Sequence, residues 1–463
     1  MSKIVPAARR LLVFGAGLVS VAAQSPYLVG PNVQVSLAQS SFQHYETQIA
    51  ADPARVDHLI ACAYVVHSAK AIDNVFYVSF DRGATWSPTL TVPVGTDPSC
   101  EIGLKGTAFA ASIQDIPRPD GNSDSFLVVH RSADGGGTWQ ASSIAIDTRS
   151  VDRNYLTVDD SHGPRRGRIY VHGYLRDNRD AAGKSLPSAF VLYTSADDGA
   201  TFDHALMRPG TQPGTPWFFP ANGVVTDDGT FVALVAELNK KKSNMSYRTD
   251  AASAPGAADG SLEVIRSRDG GLTVDASTIT DVYYDWRVPQ LSMSSLAVDR
   301  SSSPFTGRLY AAWPDARADQ RTQIFLASSD DLGRTWTAPR AVNDDPGLLP
   351  TGDRPNDFMP MVAVNKQGVV AVTWYDRRDN SDNLGYYQRF SASLNGGATW
   401  LPSTRVSSSA NVTEAGDSRF NGGDTAGLAA DADGVFHALW IDNRTGVHQM
   451  WTATIAVRGV VRR

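Results

Sequence analysis

Side chains able to work on a ligand gather in seven short stretches of this 463-residue chain: Tyr45-Glu46, Asp97 with Glu101, Asp152-Arg153-Asn154-Tyr155, Trp217-Phe218-Phe219, Asp285-Trp286-Arg287, Arg354 with Asn356-Asp357, and Arg419 with Asp424. They mix arginines, carboxylates, tyrosines and aromatics. Aromatic faces suit stacking on a sugar ring, and arginine grips an anionic substituent through bidentate, charge-assisted bonds. Taken singly, each such residue more often serves as a solvated loop charge or a core aromatic. A second motif recurs at Trp313-Pro-Asp315-Ala-Arg317, Trp374-Tyr-Asp376-Arg-Arg378 and Trp440-Ile-Asp442-Asn-Arg444, with a degenerate copy at Leu175-Arg-Asp177-Asn-Arg179. Its repetition points to a tie between neighbouring loops, although Arg378 also has the chemistry to hold a ligand carboxylate.

The elements that must position these residues are set by a repeat. The pattern Ser-x-Asp-x-Gly-x-Thr-Trp begins at Ser79 and returns at Ser132, Ser195, Ser267, Ser329 and Ser393; its acid positions (Asp81, Asp134, Asp197, Asp269, Asp331 and finally Asn395) lie 53, 63, 72, 62 and 64 residues apart. Such a pattern predicts a tight hairpin. Aspartate accepts backbone N–H groups, glycine takes positive φ, and the last residue wedges into a core. Strand-like runs flank every copy, and two more precede it, so each unit reads as four antiparallel strands, a propeller blade. Gly427 to Ala430, Val435 to Trp440 and Gln449 to Ile455 add a unit without a hairpin staple. Its missing outer strand is expected from Asn32 to Leu37, which would close the ring. Loops alternate between faces, so a ligand mouth belongs opposite the staples, at the starts of the first strands, where the seven stretches fall.

The six-copy motif is the Asp box, and the chain resembles the bacterial neuraminidase repeat, or sialidase-like, propeller superfamily over nearly all of its length. The resemblance implies an all-β propeller of four-stranded antiparallel blades. Seven blades are favoured, with six as the alternative because sialidases have six. It also implies a trio of arginines for a substrate carboxylate, a tyrosine nucleophile helped by a glutamate, and an aspartate proton donor. Arg287, Arg354 and Arg419 are the candidate trio, Tyr155, or Tyr45 beside Glu46, the nucleophile, and Asp97 or Asp152 the acid. Arg378, Asp357, Trp217 and Trp286 complete the candidate substrate contacts. The aromatic-Arg-Ile-Pro motif usual before the first box is absent; the nearest match is Trp286-Arg287-Val288-Pro289, out of order.

Composition narrows the classes. Glutamate occurs only at 46, 101, 237, 263 and 414, so most acid is turn-favouring aspartate. A net charge of -6, without a basic run beyond Lys240 to Lys242, excludes a nucleic-acid footprint. Lys3, Arg9 and Arg10 before the apolar run Leu11 to Ala23 read as a signal peptide (1–23), leaving one propeller domain (24–463) in a secreted, periplasmic or cell-surface protein with no membrane span. Cys62 and Cys100 are as consistent with a disulfide as with buried thiols. The Lys/Ser/Ala/Gly-rich segment Asn239 to Ser261 reads as a loop over the mouth, a lid or specificity loop. His44, His67, His172, His437 and His448 are scattered and form no metal-ligand spacing; no cofactor is expected, and Ca²⁺ has no strong motif. The expected function is an exported, monomeric, sialidase-like glycoside hydrolase acting on a terminal, acidic sugar of a glycan. A non-catalytic glycan-binding or interaction propeller and a polysaccharide lyase are the alternatives.

Overall fold

A computed structural model describes residues 24–68, 71–121, 123–141, 143–175, 178, 182–184, 186–210, 217–238, 258–285, 294–318, 321–350, 352, 354–381, 385–412 and 422–459. The expected leader (1–23) and most of the expected lid (239–257) lie outside the described residues. No helix among the described residues is long and apolar enough to cross a membrane.

The described chain folds into seven antiparallel sheets. Blade 1 runs Gln43–Ala51, Leu59–Ser68, Ala71–Ser79 and Ser87–Pro93; blade 2 runs Gly95–Ile102, Ala108–Pro117, Ser123–Ser132 and Ile144–Asp147. Blade 3 comprises Val151–Val158, Ile169–Leu175, Ala189–Ser195 and Asp203–Pro209, and blade 4 Trp217–Val225, Phe231–Leu238, Gly260–Ser267 and Asp275–Val282. Blade 5 holds Ser295–Val298, Leu309–Asp315, Gln323–Ser329 and Arg340–Ala341, and blade 6 Asp357–Val364, Val370–Asp376, Tyr387–Ser393 and Thr404–Arg405. Blade 7 takes Gly427–Ala430, Phe436–Asp442 and Gln449–Val457 from the end of the chain.

Its outer edge comes from the other end. Tyr27–Val29 pairs with Val457, Ala456 and Ile455, and Val33–Gln34 pairs with Thr452 and Trp451. The expected closing segment, Asn32 to Leu37, thus contributes Val33–Gln34, preceded by a second stretch, Tyr27–Val29, outside that expectation; past Gln34 the chain turns away through a short 3₁₀ turn at Leu37–Gln39. Tyr27 pins it: the ring packs edge-on against Phe390 at 5.2 Å, and its hydroxyl accepts the Ala392 N–H at 3.1 Å.

Sheets packed on both faces need strands that are apolar throughout, and the second strands of blades 3, 5, 6 and 7 are buried at every position. The staples behave as the repeat predicts. In the first, Asp81 Oδ1 accepts the Ser79 hydroxyl and the Thr85 N–H, each at 2.8 Å, while Gly83 at φ +83° donates its N–H to Ser79 Oγ. The terminal residues Trp86, Trp139, Phe202, Val274, Trp336 and Trp400 all pack against core clusters. The Trp-x-Asp-x-Arg loops are knots. Trp313, Trp374 and Trp440 each donate Nε1–H to the following aspartate, whose oxygens also take the arginine. That arginine reaches across to the preceding blade, as Arg317 does to the Asp281 carbonyl and Arg378 to Asp344. Asp177 and Arg179 of the degenerate copy lie outside the described residues. Cys62 and Cys100 are buried free thiols.

The staples make stability acid-sensitive. Hydrogen bonds from the Thr138 N–H and the Ser132 and Thr138 hydroxyls hold Asp134 down at about 2, and bonds from Thr201 and Ser195 do the same for Asp197. A depressed carboxyl stabilises the fold above the unfolded-state value of about 3.9 and stops doing so as pH falls through its folded value. The melting temperature is expected to hold from pH 7 to about 5 and to fall between about pH 4 and 2; a flat profile down to pH 2 would contradict this.

Candidate functional site

The first strands of blades 1, 2 and 3 share one irregularity. Each carries an extra residue, between Tyr45 and Gln48, between Thr96 and Ser99, and between Asp152 and Tyr155. The leading bulge residues, Glu46, Asp97 and Arg153, sit at φ +53°, +49° and +53°. A side chain in that left-handed region costs about 1–2 kcal/mol at each position, which packing elsewhere must offset. In return the three bulges deliver their side chains into one cavity of about 360 Å³ at the mouth. Asp152, Tyr155, Tyr174 and Asp424 also line it.

Adjacent blades hold the wall rigid. Arg153 N–H donates to Asp97 Oδ2 at 2.8 Å, Asn154 Nδ2 to the Asp97 carbonyl at 2.7 Å, and Leu156 N–H to Ser99 Oγ at 2.9 Å. On the other side Glu46 N–H donates to the Gly422 carbonyl at 3.0 Å. Gly423, at φ +80°, passes so close that a Cβ there would collide with the Glu46 backbone nitrogen.

Four carboxyls surround one guanidinium. Arg153 pairs with Asp424 through Nη2 and lies 4.8 Å over the Phe219 ring. Burial works against its charge, yet Asp424 and Asp152 outweigh that and raise its pKa. The carboxyls form two dyads, Glu46 with Asp424 and Asp97 with Asp152, each close enough to share a proton. Burial, reinforced by Asp424 and Asp97, lifts Glu46 well above the usual carboxylate range, while Arg153 opposes. Burial together with Asp152 does the same to Asp97, against the Arg153 N–H bond. Asp152 Oδ2 accepts the Tyr174 hydroxyl at 2.8 Å. Each dyad so sets a carboxyl whose pKa is raised against a second carboxyl with its own donor, the arrangement that separates acid and base roles.

Tyr155 lies at the floor, 7% exposed and stacked on His172 with centroids 5.6 Å apart. Burial pushes its hydroxyl above the ordinary tyrosine value and Arg153 only partly offsets this. Gln48, Tyr155 and Thr425 also line a second cavity of about 270 Å³, which continues along the axis past Cys100, Glu101, Met359 and Met361. Glu101 there is pushed up to about 7 by burial, opposed by the Ile102 N–H.

The sequence candidates divide accordingly. Glu46, Asp97, Asp152 and Tyr155 meet in the mouth. Tyr45 does not join them: it is 4% exposed, stacked on Tyr64 at 5.3 Å and beside His448 at 5.6 Å. Asp357 and Arg378 also sit elsewhere, because the knot of blade 6 claims them. Arg378 binds Asp376, Asp344 and Asp345, while Asp357 is fully buried beside Asp345 and Asp376, lifted well above the usual range by burial and those neighbours. Arg354 is exposed and lines neither cavity. Trp286, Arg287 and Arg419 lie outside the described residues, as does the Trp217 side chain. Asp424, to which the sequence assigns no role beyond its place near Arg419, joins Glu46, Asp97, Asp152 and Tyr155 in the mouth. Tyr174 was missed; its signal is cross-strand register, since it pairs with Asp152.

Comparison with known proteins agrees with the repeat. The BNR/Asp-box repeat family matches residues 77–88. No curated protein matches the chain. Among solved structures it is similar to the Hadza microbial sialidase Hz136, at 16% identity over 89% of this chain and 75% of that one, with a TM-score of 0.47. A protein of unknown function from Dyadobacter fermentans shares 16% identity over 94% and 100% of the two chains, TM-score 0.47. The α-L-arabinofuranosidase arb93a from Fusarium graminearum shares 14% over 80% and 95%, TM-score 0.46.

Proposed function

We propose that this seven-bladed BNR/Asp-box β-propeller is an exported glycoside hydrolase that removes a terminal sugar from a glycan. The observation that carries this reading is the pair of carboxyl dyads set around Arg153 in an axial cavity. Glycoside cleavage needs a neutral carboxylic acid to protonate the leaving oxygen and a second carboxylate facing the anomeric carbon or its attacking water. Asp97, kept neutral by burial and Asp152, is assigned the proton donation. Asp424, oriented by Arg153 and backed by Glu46, is assigned the opposing carboxylate. Tyr155 is assigned a hydrogen bond to the sugar, since burial raises its pKa where a nucleophile needs it lowered.

The sugar is read from charge. Glu46, Asp97, Asp115, Asp152 and Asp424 line the cavity with Arg153 as its one cation, so even with Glu46 and Asp97 biased towards the protonated form the described wall holds more carboxyls than cations. A substrate carboxylate gains nothing there, which favours a neutral sugar over the acidic one expected from sequence, unless Arg287 and Arg419 supply the clamp. A panel of fluorogenic exo-glycosides, comprising arabinosides, hexosides, uronides and sialosides, tests this with the purified protein. Release from a neutral glycoside is expected. Release only from sialosides or uronides would restore the acidic sugar, and binding of glycans without any release would leave a lectin-like propeller instead of an enzyme.

A further inference from the structure

The face opposite the mouth carries the same loop twice, in blades 3 and 5, with one informative difference. Asp159 to Arg168 and Asp299 to Arg308 align residue for residue, with Pro164 at Pro304, Gly167 at Gly307 and Arg168 at Arg308. Their backbones make the same bonds: Gly167 N–H to the Asp159 carbonyl and Gly307 N–H to the Asp299 carbonyl, each at 2.7 Å, and Arg168 N–H to Arg165 and Arg308 N–H to Phe305, each at 2.9 Å. Both arginines send Nη1 to the staple of the next blade, Arg168 to the Gly270 carbonyl at 3.1 Å and Arg308 to the Gly396 carbonyl at 3.2 Å.

They differ in what meets the other edge of the guanidinium. In blade 5, Nε and Nη2 of Arg308 hold the Asp330 carboxylate bidentately at 2.6 and 2.7 Å, and Phe305 covers the cation at 4.6 Å. In blade 3 the residue at the Asp330 position is Ala196, and Arg165 and Arg166 replace Phe305 and Thr306. Arg168 Nε has no hydrogen-bond partner. Beside it opens a cavity of about 410 Å³ lined by Lys105, Arg165, Arg166, Arg168 and Ala196. None of these four cations has a carboxylate partner among the described residues. Arg166 Nη1 donates to the Asp160 and Ser161 carbonyls, at 2.8 and 2.6 Å. The one acid in the lining, Asp198, is taken by Arg131 at 2.6 Å.

We propose that this cavity is an oxyanion site, in which an exogenous tetrahedral dianion, a phosphate or sulfate group, occupies the place of the Asp330 carboxylate. Gly270 holds Arg168 through Nη1 and leaves its buried Nε without a partner, where Arg308 commits Nε and Nη2 to Asp330, and guanidinium geometry matches phosphate and sulfate oxygens. Four cations gathered in a chain of net charge -6 favour a dianion over a single carboxylate. Since the site lies on the staple face, it does not depend on the reaction assigned to the mouth.

Calorimetric titration of the full chain with inorganic phosphate and with sulfate at low ionic strength tests the proposal. Saturable one-site binding that weakens with added NaCl is expected. Ala196→Asp restores the internal carboxylate of blade 5 and is expected to weaken binding by about tenfold or more while the protein still melts cooperatively. Should that variant not fold, the double variant Arg165→Ala/Arg166→Ala is expected to lose affinity to a similar extent. A sugar phosphate that binds more tightly than inorganic phosphate identifies a phosphate ester as the natural source, and equal binding identifies the free ion. No saturable binding of either anion, or unchanged binding in both variants, would overturn the proposal.

Discussion

On the proposed glycosidase reading, Asp97→Asn is expected to leave the propeller folded and to lower kcat on a cleaved aryl glycoside by about 10²- to 10⁴-fold, with KM little changed. The side chain sits at the wall, where its Oδ2 already accepts the Arg153 N–H, so an amide keeps the shape while losing the transferable proton. A leaving group that needs no protonation should restore much of the rate, as expected for a lost general acid. The pH profile carries the same information. Burial and Asp152 raise the Asp97 pKa, so the protonated form persists above the ordinary carboxyl range and activity disappears only as pH rises through the elevated value. That alkaline limb is expected to vanish in Asp97→Asn. A kcat within about threefold of wild type would remove Asp97 from the chemistry.

The second large effect is on stability. Arg153→Met is expected to cost about 1–3 kcal/mol in urea unfolding, because truncating one partner of a half-buried ion pair leaves the other charge uncompensated. Here the uncompensated group is Asp424, with Glu46, Asp97 and Asp152 close by. The deficit should shrink as pH falls and the carboxyls take up protons. The aliphatic replacement retains packing over Phe219, so a loss much below 1 kcal/mol at neutral pH would mean that the guanidinium is not the keystone of the mouth.

The architecture was legible because it repeats. Six staples, each with a wedge residue, announce six blades, and the strand periodicity of residues 427 to 455 supplies the seventh. The site was legible only where the repeat breaks. Glu46, Asp97, Asp152 and Tyr155 stand out against the other blades, and they converge. Asp357 and Arg378 did not, because a knot that recurs in blades 5, 6 and 7 looks the same on paper whether its arginine faces a ligand or its own aspartate. Strict alternation fails at a bulge: Asp152 and Arg153, neighbours in blade 3, both line the mouth, whereas of Tyr45 and Glu46 in blade 1 only Glu46 does. Which of the two turns inward was decided by a bulge, and a bulge is visible only once the pairing partner is known. Tyr174 reaches the site by the same cross-strand logic.

The shared seventh blade constrains how this molecule is made. Its outer strand leaves the ribosome before blades 1 to 6 and the three strands it completes leave after them, so the ring cannot shut until Gln449–Val457 has emerged. Until then the nascent chain presents open sheet edges, the surfaces most prone to pair with a neighbouring chain. Slow synthesis therefore lengthens the exposure to aggregation, and any factor that shields Tyr27–Val29 until Gln449–Val457 arrives would raise the yield of closed rings.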